Sequence, residues 1–191
     1  PFEVVPGITA GLAVGAYCEI PVTHHAEASA VALVTGRERD NKSAIQLERG
    51  LAEFPGTLVF YMGVKRASEW SRALIDQGKP ADTPVAIVRW CSRANQQTVR
   101  CTLATVAEAV EESRMRPPAL FVVGQVVDHA PALSWFEARP LFGVTVLVPG
   151  SKRTSAKLHK ALSALGANVV LAPAIQIREP EDWAPVDAAL E

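Results

Sequence analysis

Short, almost wholly apolar runs alternate with longer amphipathic stretches along this chain, and no other feature constrains its fold as tightly. The runs are 30–34 (AVALV), 57–61 (TLVFY), 85–88 (VAIV), 98–101 (TVRC) and 120–127 (LFVVGQVV). A strand that is apolar at successive positions needs cover on both faces, and helices supply it. Residues 43–53 carry Ile45, Leu47 and Leu51 among charges, and residues 66–77 carry Ala67, Trp70, Leu74 and Ile75. Thr105 and Glu108 have the spacing of a capping box, ahead of Val106, Ala109 and Val110 at helical intervals. This order of elements predicts an α/β fold.

Both ends of the chain carry their own signals. Residues 2–5 read as the end of an apolar strand, Pro6-Gly7 as a turn, and Thr9 as the cap of a helix through Leu12 and Ala16. A chain that starts in mid-strand without methionine reads as part of something longer. Residues 134–143 (SWFEARPLFG) are irregular, and a second unit follows them. It has a strand at 144–148, a Pro-Gly turn, a helix over 151–165 with Leu158, Ala161, Leu162 and Leu165 on one face, Gly166 as its stop, and a strand at 168–171. This β-α-β opening ends too soon to complete a core, so a cut at both ends is expected.

The 191 residues are 49% hydrophobic and 20% charged, enough to bury a real core. A net charge of −1 with scattered basic residues argues against a nucleic-acid partner. No apolar run approaches the roughly 20 residues of a membrane span, so no membrane association is expected. Cys18, Cys91 and Cys101 lie far apart in sequence and form no CxxC pair. That disfavours zinc and a disulfide framework, and suits buried neutral thiols in a reducing cytoplasm. His24 and His25 are adjacent; on an extended segment they point to opposite sides, so no metal site is assigned to them.

Three junctions end strands with small or backbone-exposing residues: VVPGITAG, TLVFYMG and VAIVRWCS. Ligands of open α/β sheets bind beyond such strand ends. Taken singly, each is equally well an ordinary turn. Taken together and in order with IPVTHH, VALVTGRE, the Gln96-Gln97 pair before Thr102-Leu103, and PALFVVGQVV through LSWFE, they resemble the C-terminal half of the uroporphyrinogen-III C-methyltransferases, in the tetrapyrrole methylase family. The resemblance spans residues 1–138. Residues 139–191 resemble the start of uroporphyrinogen-III synthases, which are often fused behind such methylases.

The resemblance implies a second methylase domain with a five-stranded mixed sheet and flanking helices, followed by an incomplete synthase-like β-α-β unit. It implies S-adenosylmethionine as methyl donor, S-adenosylhomocysteine as product, uroporphyrinogen III as substrate, precorrin-2 as product for siroheme or cobalamin synthesis, and a homodimer. Cofactor contacts carry over to Thr9, Ala10, Met62 and Cys91. At Cys91-Ser92 the family's Gly-Thr is replaced, and Cys101 replaces a glycine before Thr-Leu. A main-chain contact survives at Cys91 if its φ need not be positive. The resemblance puts His24 near the substrate side, although a solvated loop histidine accounts for it more simply. Lys152 and Arg153 are possible partners for tetrapyrrole carboxylates, or simply a solvated helix start. No catalytic residue falls within the chain. A methylase of a later corrin intermediate and a non-catalytic dimerisation or binding module are the alternatives.

Overall fold

A computed structural model describes residues 2–36, 49–130, 134–175, 178 and 181–190. The first unit contains α1 (Ala10–Cys18), β1 (Val31–Thr35), β2 (Thr57–Tyr61), α2 (Ala67–Asp76), β3 (Pro84–Arg89), β4 (Gln97–Thr102), α3 (Val106–Glu112) and β5 (Ala119–Val123). The second contains β6 (Thr145–Ser151), α4 (Lys152–Ala164), β7 (Asn168–Ile175) and α5 (Ala184–Leu190). The helix expected over 43–53 lies largely outside the described residues, as do the side chains of Lys152 and Arg153.

The five strands of the first unit form one mixed sheet in the order β1-β2-β5-β3-β4. β1 and β2 are parallel, and β5 is antiparallel to both β2 and β3. It follows that β1, β2 and β3 all run the same way and end at one edge of the sheet. The pleat divides their side chains between two cores. Leu58, Phe60, Val85, Ile87, Phe121 and Val123 pack under Trp70 and Leu74 of α2 and Val106 of α3. On the other face Ala86, Val88 and Val122 meet Val14 and Cys18 of α1, with Ile20, Ala28, Val126 and Val127. Covered on both faces, the central strands are buried along almost their whole length.

Several expectations are corrected. The run 120–127 is a strand only as far as Val123. Gly124 adopts φ 145, its N–H bonds the Pro84 carbonyl at 3.0 Å, and Gln125–His129 coil into a short 3-10 turn that buries Val126 and Val127. Apolar content here marks burial, not extension. Residues 2–5 form no strand, because they find no partner edge among the described residues; Phe2, Val4 and Val5 are exposed. Neither threonine caps its helix. Thr105 is not extended (φ −103, ψ 2), and its hydroxyl turns back to accept the Thr102 N–H at 3.0 Å.

In the second unit β6 and β7 are parallel and α4 connects them. Pro149-Gly150 does not break β6: Pro149 pairs with Ala172 and Gly150 with Pro173 before the register shifts at Ser151. Gly166 ends α4 at φ 101, as its position after the apolar stripe suggests. The segment between the units is irregular but well anchored. Trp135 donates through Nε1 to the Ala16 carbonyl at 2.8 Å, and Phe136 meets the Tyr17 ring edge-on. Glu137 accepts from Gln96 Nε2 and Thr98 Oγ1, both at 2.9 Å. Backbone bonds from Leu141 to Leu165 and from Gly143 to Ala94 then tie the second unit in. Among the described residues no helix is long and apolar enough to cross a membrane.

Candidate functional site

The site is built where β1, β2 and β3 end together. At the end of β2, Tyr61 reaches over to the start of α1. Its hydroxyl accepts the Gly11 N–H at 2.6 Å and pairs with Thr9 Oγ1. Thr9 therefore serves as a tertiary anchor, not a helix cap. Gly11 is required: a Cβ there would lie 2.7 Å from the Tyr61 hydroxyl and 3.0 Å from Leu33. This clamp ties the Thr9-Ala10-Gly11 segment to Tyr61, the residue that precedes Met62.

Met62 is 62% exposed and adopts φ 56, a costly conformation for a residue with a side chain. The turn beneath it is held by neighbours. The Gly36 N–H donates to the Tyr61 carbonyl at 2.7 Å, and Trp70 Nε1 donates to the Gly63 carbonyl at 3.0 Å. Ala10 is exposed and Thr9 half-buried, so the three predicted residues leave an uncharged, accessible surface.

Cys91 follows β3. Trp90 and Ser92 on either side have φ 51 and 72, but Cys91 itself is not in the left-handed region. The condition set for a main-chain contact is thus met. The Arg89 guanidinium covers the Trp90 ring at 3.7 Å, and the Ser92 N–H bonds Gln96 Oε1 at 2.9 Å. The Cys91 side chain packs toward α1, against the cluster that holds Cys18. Although distant in sequence, these two thiols influence each other's acidity. The neighbouring Cys91, then burial, pushes the Cys18 thiol up, while the neighbouring Cys18 holds Cys91 below the ordinary thiol range against its own burial. Burial alone raises Cys101 to about 11. Because the thiolate is the nucleophile, iodoacetamide should modify Cys91 in the folded protein before Cys18 or Cys101. Mass spectrometry of timed digests reads the order, and earlier labelling of Cys18 would contradict this order of thiol acidities.

His24 is not on an extended segment. Two backbone bonds with Ala28, each 2.9 Å, close residues 24–28 into a tight turn. The His24 and His25 rings consequently lie 4.4 Å apart instead of on opposite sides. His24 also stacks on His129 at 4.4 Å, and His129 Nε2 lies 2.7 Å from Glu27 Oε2. Sequence reasoning missed His129, which is remote in the chain. It also missed Tyr61, although that residue stood inside the quoted TLVFYMG segment.

Residues 1–107 match the family described as Tetrapyrrole (Corrin/Porphyrin) Methylases. The chain is 40% identical over 138 residues to the uroporphyrinogen-III C-methyltransferase of Bacillus subtilis (strain 168), covering 72% of this chain and 54% of that protein. It is 37% identical over 177 residues to the "Porphyrin biosynthesis protein HemD" of Ruminiclostridium josui, covering 93% of this chain and 35% of that one. The crystal structure of uroporphyrin-III C-methyl transferase from Thermus thermophilus complexed with S-adenyl homocysteine superposes with a TM-score of 0.56 at 36% identity, over 66% of this chain and 52% of that one. The chain thus spans about half the length, or less, of these relatives. The mixed sheet, its three co-directional strand ends and the sequence match over residues 1–107 agree: this chain belongs to the tetrapyrrole (corrin/porphyrin) methylases.

Proposed function

We propose that this chain forms one wall of an S-adenosylmethionine site and takes part in the C-methylation of uroporphyrinogen III to precorrin-2. The observation that supports the reading is the Tyr61 clamp, which ties Thr9 and Gly11 to the residue before Met62 at the end of β2. Relatives that align over most of the chain bear the names uroporphyrinogen-III C-methyltransferase, and one of their structures holds S-adenosylhomocysteine.

The residues present fit such a cofactor. Gly11, Gly36 and Gly63 pack so closely that an added Cβ would come within 2.7 to 3.0 Å of a neighbour. Ala10 and Met62 remain open beside them. When bound, S-adenosylmethionine supplies an electrophilic methyl group on a cationic sulfur. The chain's share of the work is binding and orientation. Thr9 and Ala10 would hold one side of the cofactor, Met62 would cover another, and the backbone at Cys91 would contact it without a positive φ. Such positioning is worth several kcal/mol of the barrier when a reacting pair is held in line. His24 is proposed for the substrate side.

We further read residues 139–191 as the opening of a uroporphyrinogen-III synthase-like domain. The 177-residue match to the Ruminiclostridium josui protein supports this, because it reaches across both units.

Replacing Ala10 by Leu in the full-length protein tests the cofactor wall. The new side chain would occupy space at an exposed position, so calorimetry with S-adenosylhomocysteine should show affinity reduced ~10-fold, about 1.4 kcal/mol. The melting temperature should barely move, since Ala10 is exposed. Unchanged affinity would remove Thr9 and Ala10 from the site.

A further inference from the structure

We propose that His24, Glu27 and His129 form a binding site for a divalent cation of the zinc class. One ligand atom from each residue lies within 4.8 Å of the other two. The residues come from two segments about a hundred positions apart, so the grouping is made by the fold and not by local sequence. Two imidazoles and a carboxylate suit zinc and its first-row neighbours; calcium and magnesium favour all-oxygen sets.

The geometry extends beyond a surface ion pair. The contact between His129 and Glu27, at 2.7 Å, needs only one histidine. His24 is the additional group, its ring stacked 4.4 Å from that of His129 at an interplanar angle of 29°. The Ala26 N–H reaches His24 Nδ1 only at 3.4 Å, a weak bond that yields readily to a metal.

The backbone under these side chains is already ordered. Two bonds between His24 and Ala28 close the turn that carries His24 and Glu27. His129 ends the turn that buries Val126 and Val127, and Ala28, Val126, Val127 and Ala130 share one apolar cluster. Packing therefore fixes where the three side chains start, while their tips stay partly exposed and free to adjust. Bonds of roughly 2.0–2.2 Å place tetrahedral ligand atoms about 3.3 Å apart, so closure requires shifts of about 1.5 Å or less. Three protein ligands leave a fourth position for water.

This site shares His24 with the proposed substrate side, but its test reads metal binding without substrate or cofactor, so the two readings can fail separately. Its test is calorimetric titration of untagged, metal-free full-length protein with zinc, one equivalent being expected. His24→Ala and His129→Ala should each weaken binding at least ~10-fold, the range typical of disturbed metal sites, and Glu27→Gln should weaken it as well. His25→Ala should leave it unchanged. Zinc should raise the melting temperature of the native protein but not of the His24→Ala/His129→Ala double variant. Because both histidines lie at the surface, partly exposed, that variant should melt close to the native protein without metal. Cobalt offers a second readout, with an absorption spectrum free of thiolate charge transfer. No stoichiometric binding, equal binding by the double variant, or a cobalt-thiolate band indicating the cysteines would each overturn the proposal.

Discussion

Trp70→Ala should cost about 3–5 kcal/mol of stability, the range for removing a large aromatic side chain from a core. Trp70 is fully buried, stacks on Phe60 at 4.5 Å and meets Phe121 edge-on at 5.2 Å. It carries α2 onto the sheet and also reaches the turn after Met62 through its bond to the Gly63 carbonyl. A loss of this size is a large share of the roughly 5–15 kcal/mol that holds a domain folded. Trp70→Phe separates the two roles: it keeps most of the ring but leaves a buried carbonyl without its donor, at about 1–3 kcal/mol. Denaturant unfolding reads both. A Trp70→Ala variant within 1 kcal/mol of the native protein would show that the α2 face is not what holds this core.

Gly36→Ala should damage the site more than its small size suggests. A Cβ at residue 36 would lie 2.8 Å from Gly63 Cα and 3.2 Å from both the Gly63 nitrogen and the Tyr61 carbonyl oxygen. All three are backbone atoms, so no side chain can rotate away, and the ends of β1 and β2 must separate. We expect a loss of about 1–3 kcal/mol in stability, as for other overpacked positions. Displacing Met62 and Tyr61 should also lower affinity for S-adenosylhomocysteine by ~10-fold or more, about 1.4 kcal/mol per decade. Gly7→Ala is the stability control, since an added Cβ there meets nothing within 4 Å. If Gly36→Ala binds and melts as the native protein does, the close approach of β1 and β2 plays no part in the site.

How far the fold was legible depended on whether a signal was local. The three central strands were readable because burial on both faces leaves a continuous apolar run, as in Thr57–Tyr61 and Pro84–Arg89, whereas β1 and β4 are only partly buried. Their order was not, since β2, β3 and β5 carry nearly the same pattern and each would suit a central place. GQVV misled because apolar character reports burial, and Gly124 then bends the chain into a turn. The threonines at 9 and 105 had the residue type and spacing of caps, but their hydroxyls found better partners in Tyr61 and Thr102. Of the site, the Thr9-Ala10, Met62 and Cys91 segments were visible as strand-end junctions. The Tyr61 clamp, the thiol pair and the approach of His129 to His24 arise only from tertiary packing, which no spacing within one segment encodes.

The antiparallel placement of β5 between β2 and β3 has an architectural consequence. It works as a spacer: the anchor points of the loops after β2 and β3 are two strand widths apart, roughly 10 Å, with β1 one further width, about 5 Å, beyond β2. Because backbone pairing sets these intervals, loop composition can drift without moving the anchors. The turn that carries Cys91 and Ser92 lies beyond this pairing, and β3 keeps its register with β5 from Val85 to Arg89. The sheet edge behaves as a comb with replaceable tips, in which chemistry is tuned at the tips and distance is held by the teeth.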